Sequence, residues 1–448
     1  MAINNTALWA EVQAIINRGA LDTHYQLKTV IRCNGLDHAV LKTLSLDINR
    51  DYGSNYSDIV VADVTMGMGD FVYDIYPYRK NLEVTVYWVP TGEIGTVATV
   101  SKATTKRVYR GILIETESDL MAANQASGQG QFALNLNGLK RFRLQLVDLT
   151  TEWVRMEAVG GVFKSVAPWQ LAQYLLTQQS KRVKYTAENT IKGVSVATAD
   201  NLAPRDNIVI PHGTPLVEVP SLLQRRHGGI YSTGLGYYLQ DGYWYLYPLY
   251  DLTRFNRTPM TLTVINVPKA QLPGLERTYR RTANQAVVLC TGSGLHRDRS
   301  DGQVADSGNG VRYQEARSVI DGAVTVTGNR MTFDRVKNTS EFITDTQESG
   351  LNHAPVAPGR IHGSGFELLT QQALKRGGLF MAEWEHGDPA ILTPGMPVKL
   401  MYQDHDQVRT VMGVLLGAHS YYQLQGEGVT ATRHQCTVGL AIFVSKAT

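Results

Sequence analysis

Between Tyr231 and Tyr250 the chain reads YSTGLGYYLQDGYWYLYPLY, eight aromatic residues in twenty positions, a density that demands a packed sheet. Tyr237 and Leu239 alternate across Gln240-Asp241-Gly242 with Tyr243, Tyr245 and Tyr247, the pattern of a hairpin with a three-residue loop and glycine at its left-handed position. Each buried ring removes roughly 150–250 Å² from water, so such a cluster needs a core or a partner surface. Either the hairpin is core, or the edges of Tyr237, Tyr243, Tyr245 and Tyr247 meet another subunit. Neither arrangement is an active site.

The same period of two runs through the first third of the chain. Tyr25, Leu27, Thr29 and Ile31 alternate with polar residues, as do Leu44, Leu46 and Ile48, and then Leu82, Val84, Val86 and Trp88. Half-buried antiparallel strands have this signature. Phe132 to Leu136, Asn137-Gly138 and Phe142 to Leu146 read as a further hairpin, since Asn-Gly supplies the positive φ angles of a type I′ turn. These strands form a sheet that closes or nearly closes on itself.

Helical spacing marks residues 6–17, through Leu8, Val12, Ile15 and Ile16, and the stretch after Ser165, with Ser165 as N-cap, Pro168 in the first turn and Val166, Trp169, Ala172, Leu175 and Leu176 along one face. A second helix is expected from Thr214-Pro215 to Gly228-Gly229, bent or shortened at Pro220, and a strand around Arg182 to Tyr185. Residues 291–311 are rich in Gly, Ser and Asp and read as a long exposed loop. Ser364-Gly365-Phe366-Glu367 is a capping box opening a helix that Gly377 ends. Val398–Tyr402, Arg409–Leu416 and Gln435–Val444 return to strands, a second small barrel.

Composition narrows the function. The 448 residues are 43% hydrophobic, enough for roughly two to four domains with their own cores. Cys33, Cys290 and Cys436 lie far apart without a C-x-x-C, so neither a disulfide framework nor a zinc site is indicated, and a reducing compartment of synthesis fits. The net charge of +3 comes from balanced signs with no basic block long enough to track a phosphate backbone. No apolar run approaches the ~18 residues of a membrane span, and the N-terminus lacks the features of a signal peptide.

Candidate chemistry is sparse. Glu383-Trp384-Glu385-His386-Gly387-Asp388 offers carboxylates and an imidazole, but neighbours on a strand point to opposite faces, and a solvated strand end explains them better. Asp404-His405-Asp406 reads as an exposed turn. Asp298, Ser300 and Asp301 lack the glycine and the closing glutamate of a calcium loop. Gly67-Met68-Gly69-Asp70 and Gly363-Ser364-Gly365 read as turns, with neither a phosphate-cradling helix nor a nucleophile elbow. The residues therefore name no catalytic group, no cofactor and no metal.

Three segments carry a resemblance: VADVTMGMGDFVYDIYPYRKNLEVTVYW at 61–88, IPHGTPLVEVPSLLQRRHGGIYSTGLGYYLQDGYWYLYPLYDL at 210–252, and LTPGMPVKLMYQ at 392–403. They are similar to the central baseplate hub proteins of contractile-tailed bacteriophages, relatives of the hub part of type VI secretion spikes. The similarity runs over most of the chain in order, through strand-and-turn patterns rather than catalytic residues. It implies an α+β, mainly β fold: two tail-tube-like antiparallel β-barrels with α/β insertions. The domains would be a helix at 1–20, a first barrel at 21–160, an α/β module with the aromatic hairpin at 161–255, an insertion at 256–360 and a second barrel at 361–448, with discontinuity allowed. The family pattern assigns no role to 259–360.

The resemblance further implies a homotrimer whose six barrels form a ring between a six-fold tail tube and a three-fold spike. Its partners would be the tail tube protein, the central spike protein, and the tape-measure and baseplate wedge proteins. DNA would pass through the lumen without specific binding. Such a protein is a non-enzymatic virion component of the tail baseplate, made in the bacterial host cytoplasm. Two rivals come from other classes: a tail-associated carbohydrate-acting enzyme, with the tyrosine hairpin stacking sugars and Glu383 or Glu385 among its carboxylates, and a glycan-binding adhesin.

Overall fold

A computed structural model describes residues 6–16, 24–91, 104–114, 138–182, 189–258, 260–267, 278–290, 377–404, 407–426 and 432–445, with isolated strand segments between 295 and 343 and parts of a helical stretch between 366 and 374. In chain order α1 (Thr6–Ile16) precedes β1 (His24–Cys33), β2 (Leu36–Ala39), β3 (Lys42–Asp51), β4 (Ile59–Gly67), β5 (Leu82–Thr91), β6 (Thr105–Ile114) and β7 (Leu139–Asp148). A central module holds α2 (Leu149–Met156), β8 (Ala158–Val166), α3 (Pro168–Ser180), β9 (Gly193–Val196), β10 (Arg205–Pro215), α4 (Val219–Arg226), β11 (Leu235–Gln240) and β12 (Tyr243–Pro248). Then follow β13 (Thr261–Asn266), β14 (Tyr279–Arg281), β15 (Gln285–Cys290), β16 (Leu295–Arg297), β17 (Arg312–Gln314), β18 (Val324–Thr327), β19 (Arg330–Phe333) and β20 (Glu341–Ile343). The last strands are β21 (Gly377–Trp384), β22 (Pro397–Asp404), β23 (Gln407–Leu424) and β24 (His434–Ser445). The fold is mainly β, built on one large sheet.

The period of two in the first third of the chain becomes a closed path. β3 pairs with β4, β4 with β7, β7 with β6, β6 with β5 and β5 with β1, all antiparallel. β1 then meets β24 at His24↔Gln435 and Tyr25↔His434, β24 lies along β23, and β23 returns to β3 from Gly417↔Asp51 to Gln423↔Ser45. Closure removes the free edges that an open sheet would expose. Alternate residues point inward, so Leu27, Ile31, Val64, Val84, Val86 and Leu144 share one dry interior. Leu46 and Ile48 join them, but a bulge between Thr43 and Ser45 takes Leu44 out of phase with the face the alternation assigned it.

A second set of strands shares the β23–β24 hairpin. β15, β13, β22, β23, β24 and β21 are neighbours in that order, with β14 beside β15. β13 runs parallel to both β15 and β22, a departure from the all-antiparallel expectation. Alternation reports which face a residue takes, not the direction of its neighbour, and parallel pairing is made possible by the long connections on either side of β13. Residues 261–290, expected within an insertion, thus supply three strands of the main sheet, and the stretches 21–160 and 361–448 are joined in it. Side chains tie the start of β14 to the end of β21 and the 385–388 stretch. Trp384 Nε1 donates to Thr278 Oγ1 at 2.8 Å, Thr278 Oγ1 donates to the carbonyl of Glu385 at 2.8 Å, and Tyr279 OH donates to Asp388 Oδ2 at 3.1 Å. α1 packs Val12 and Ile15 on Ile265, Val287 and Leu289, and Glu11 pairs with Arg280 at 2.9 Å.

His434 occupies the seam where β1, β24 and β3 converge. It is 2% exposed; its Nδ1 accepts from Leu27 N at 3.3 Å and its Nε2 donates to Thr43 O at 2.7 Å, so the ring is held neutral between two strands. Burial pushes its pKa down, against the raising effect of its backbone hydrogen bonds. The unfolded chain takes up a proton near the free-histidine value of about 6.5, whereas the folded chain resists it, so stability drops as pH falls below that value. The melting temperature is expected to fall between pH 7.5 and pH 5, and His434→Gln, which can serve the same two bonds at either pH, is expected to flatten the slope in a calorimetric scan.

Several local expectations change. Helix α3 begins two residues later than the expected cap: Ser165 and Val166 end strand β8, Ala167 is the N-cap, and Gln170 Oε1 accepts from its backbone N–H at 3.3 Å. Leu171, Ala172, Leu175 and Leu176 form its buried face. The helix placed at Thr214 is strand to Pro215, a 3-10 turn over Leu216–Glu218 and then α4, in whose first turn Pro220 sits, where a missing N–H costs nothing. Gly67 to Asp70 is no simple turn: a helical run of α, π and 3-10 turns covers 68–78, driven by Phe71 and Ile75, which insert into the closed sheet at 1% and 0% exposure. Within the expected loop 291–311, residues 295–297 pair with β21. The remainder of that loop, Phe132 to Asn137, Val183 to Tyr185, Asp298 to Asp301, the residues Ser364, Gly365 and Glu367 of the capping box, and His405-Asp406 lie outside the described residues.

Candidate functional site

β11 and β12 pair from Leu235↔Pro248 to Gln240↔Tyr243, so the loop between them holds only Asp241 and Gly242, at φ 54° and 82°. That is a two-residue type I′ turn rather than the three-residue loop read from the sequence. The one-residue difference decides the site, because a shift of one in register moves a side chain to the other face. Tyr237 falls on the same side as Leu239, Trp244 and Leu246, against α3, α4 and β10. Tyr245 and Tyr247 look the other way, with Tyr238, toward the closed sheet. β9 adds to β12 in parallel and completes a three-stranded sheet between two cores. A Cβ at Gly242 would stand 2.5 Å from Thr190 O, so Gly242→Ala is expected to cost ~1–3 kcal/mol, measurable as a lower urea midpoint.

The hairpin is locked to the β3–β4 connection by aromatic hydroxyls. The rings of Tyr52 and Tyr238 meet edge to face at 4.9 Å and 89°. Tyr238 OH donates to Asp58 Oδ1 at 2.9 Å, Tyr52 OH to Gln240 Oε1 at 3.0 Å, and Tyr247 OH to Tyr52 O at 2.7 Å. Gln240 Nε2 donates onward to Leu392 O at 2.9 Å. Burial raises the pKa of Tyr238, and the Asp58 carboxylate adds to the rise. Of the four tyrosines named from the sequence, Tyr243 is 40% exposed, Tyr237 and Tyr245 are half-buried, and Tyr247 is 2% exposed. The aromatic density is therefore chiefly intramolecular.

One charged group stands where alternation calls for an apolar one. Arg50 faces inward on β3 in phase with Leu46 and Ile48, its side chain 6% exposed and its Nε 3.2 Å from Asp58 Oδ1. Arg107 on β6 approaches the other Asp58 oxygen at 3.9 Å and pairs with Asp241 on the hairpin turn. Asp148 caps α2 by accepting from Thr150 N at 2.8 Å and Thr151 N at 3.3 Å. Its burial pushes the carboxyl pKa up despite the opposing pull of Arg107 and those amides. These groups border a cavity of about 700 Å³ at one end of the closed sheet, a feature the sequence signalled only through an arginine at an inward strand position.

The acidic cluster at 383–388 is dispersed. Glu383 points outward from β21, Trp384 is 0% exposed, and Asp388 is buried, capping the turn at Pro389 and receiving the Tyr279 hydroxyl. Among the described residues no three His, Cys, Asp or Glu side chains are grouped to hold a metal ion. No described helix is long and apolar enough to cross a membrane.

No protein-family model matches the chain, and no curated protein matches it in sequence. Solved structures do. The tail protein from Neisseria meningitidis MC58 aligns over 93% of this chain and 97% of its own, at 14% identity and TM-score 0.45. The 43 kDa tail protein of prophage MuSo2 from Shewanella oneidensis aligns over 93% and 96%, at 10% identity and TM-score 0.46. The E. coli c3393 protein, described as a type VI secretion component structurally similar to the T4 tail proteins gp27 and gp5, aligns over 93% and 77%, at 8% identity and TM-score 0.40. These neighbours are tail proteins or a relative of tail proteins, and each is too distant to decide a role for this chain.

Proposed function

We propose that the chain is a structural virion protein, a hub of a contractile-tail baseplate. Copies would assemble as a homotrimeric ring that joins a six-fold tail tube to a three-fold spike. Support comes first from the three resembling segments, each of which builds a different part of one connected architecture. Residues 61–88 supply β4 and β5 of the closed path, 210–252 the module with the aromatic hairpin, and 392–403 strand β22 of the second set. The observation that carries the proposal is the sharing of the β23–β24 hairpin between the closed path and a second set of strands, an arrangement that suits two adjoining tube-like barrels in one chain.

The packed interior has a consequence for the conduit. Leu27, Val64, Val86 and their neighbours fill the closed path, so DNA would run along the polar outer faces of several copies, not through one chain. Interfaces for a permanent ring are large and apolar, on the order of 2,000 Å² or more. Of the hairpin tyrosines Tyr243 has the open surface for such a contact. The tail tube and spike proteins would be direct partners, with the tape-measure and wedge proteins beside them. The buried tyrosines argue against a sugar-stacking platform.

Light scattering of the purified chain, alone and with the spike protein of its own genome, tests this. A trimer that takes up three spike chains is expected. A monomer indifferent to the spike would overturn the assignment and favour a glycan-binding role.

A further inference from the structure

In the closed path β6 and β7 stand across from the shared β23–β24 hairpin, separated from it by β5 and β1 on one side and by β4 and β3 on the other. They are the wall of that path farthest from the second strand set. On its outer face the register sets Ile112 beside Gln145 and Ile114 beside Arg143, then Arg143 beside Asp63 and Leu139 beside Gly67 of β4. Ile112, Ile114 and Leu139 are 47%, 45% and 66% exposed, and Ile59, on the same face of β4, is 43% exposed. One such residue is ordinary, but four on three adjoining strands form a patch of the kind that marks a protein contact.

The charge beside this patch is unbalanced. Asp63 is buried beneath Arg141 and Arg143, whose side chains are both 66% exposed. Arg141 takes both of its carboxylate oxygens, while Arg143 approaches only to 3.9 Å and makes no hydrogen bond among the described residues. One guanidinium charge is therefore left over next to the isoleucines, and a matching surface carries a carboxylate beside apolar side chains. Setting the wall against itself across a two-fold axis would bring the arginines of two copies together, so it suits a different face of the next copy, the head-to-tail contact that generates rings.

The same chain carries such a face. Met381 and Glu383 project outward two residues apart on β21, Met381 being 37% exposed. Asp37, Asp47, Glu83 and Glu152 each have a basic partner within their own chain, whereas Glu383 makes no hydrogen bond or ion pair among the described residues. We propose that the β4–β7–β6 wall docks head to tail on β21 of a second copy, Arg143 pairing with Glu383 and the Ile112–Ile114 patch covering Met381. The proposal rests on the ring reading and assigns the surfaces that close the ring.

The test is light scattering of the full-length chain over a dilution series, for the wild type, Arg143→Glu, Glu383→Arg and the double variant. Each single variant is expected to raise the concentration of half-dissociation about tenfold or more, and the double variant, which restores the pair with its signs exchanged, is expected to recover most of that loss. Ile114→Asp probes the apolar part without touching either charge, and the same loss is expected. All three positions are exposed, so near-ultraviolet circular dichroism is expected to match the wild type in every variant. Single variants that hold the wild-type assembly, or a double variant no better than the singles, would overturn this contact and leave the ring reading standing. A monomeric wild type would overturn both.

Discussion

Replacing Asp58 with alanine is expected to destabilise the protein by ~3–5 kcal/mol, because it leaves Arg50 buried with no counter-charge. The Arg50 side chain is 6% exposed and its only carboxylate partner among the described residues is Asp58, so solvent cannot take over the lost interaction. Tyr238 OH loses its acceptor in the same step, at a further cost. Urea unfolding should show a lower midpoint with an unchanged slope, the sign of a stability change without a change in compactness. The double variant Asp58→Ala with Arg50→Met should recover much of the loss, since an apolar pair of similar volume avoids desolvating either charge. If Asp58→Ala were neutral, the pair would have to be hydrated in solution and the packing of the hairpin on β3 looser than described.

Trp384→Ala is the second large effect, also ~3–5 kcal/mol, from a cavity in a site that cannot collapse. The indole is fully buried, crosses the Tyr279 ring edge to face at 5.5 Å and 80°, and donates its N–H to Thr278. Those contacts join the end of β21 to the start of β14. The loss should therefore be local as well as global: amide exchange in β14 and β21 should rise more than in β4 and β7. Trp384→Phe keeps most of the packing and should cost distinctly less.

The strands were legible wherever a side chain's face is set by alternation alone. Tyr25, Leu27 and Ile31, Leu82, Val84, Val86 and Trp88, and Phe142, Leu144 and Leu146 lie on the inner face, because one side of each strand meets water and the other does not. What alternation does not encode is partnership. Nothing in Thr261 to Asn266 says that it runs parallel to β22, more than 130 residues away, or that Gly417 to Gln423 closes a ring begun at Ser45. The hairpin tyrosines show the limit sharply. Their number fixed a packed hairpin, yet a loop one residue shorter placed Tyr237 and Tyr247 on opposite faces and sank most of the aromatic surface into two cores. Phe71 and Ile75 show tertiary packing winning over the turn-like Gly67 to Gly69 before them. The cavity was hidden for another reason: Arg50, Arg107, Asp58 and Asp148 come from separate strands and connections, and only Arg50, charged at an inward position, carried a local sign of it.

The single hairpin that serves both strand sets governs how the protein comes into being. Leu27 donates to His434, 407 residues further along, and β1 and β3 find their remaining neighbours only in β24 and β23. During synthesis the early strands must wait, with two sheet edges open, for almost the whole of this sequence to be made. Contacts of such separation make folding slow and leave unpaired edges able to capture another nascent chain. The same hairpin that makes the finished molecule indivisible makes its birth the interval of greatest danger, and production at low temperature or beside a holding chaperone is the condition under which it should be recovered intact.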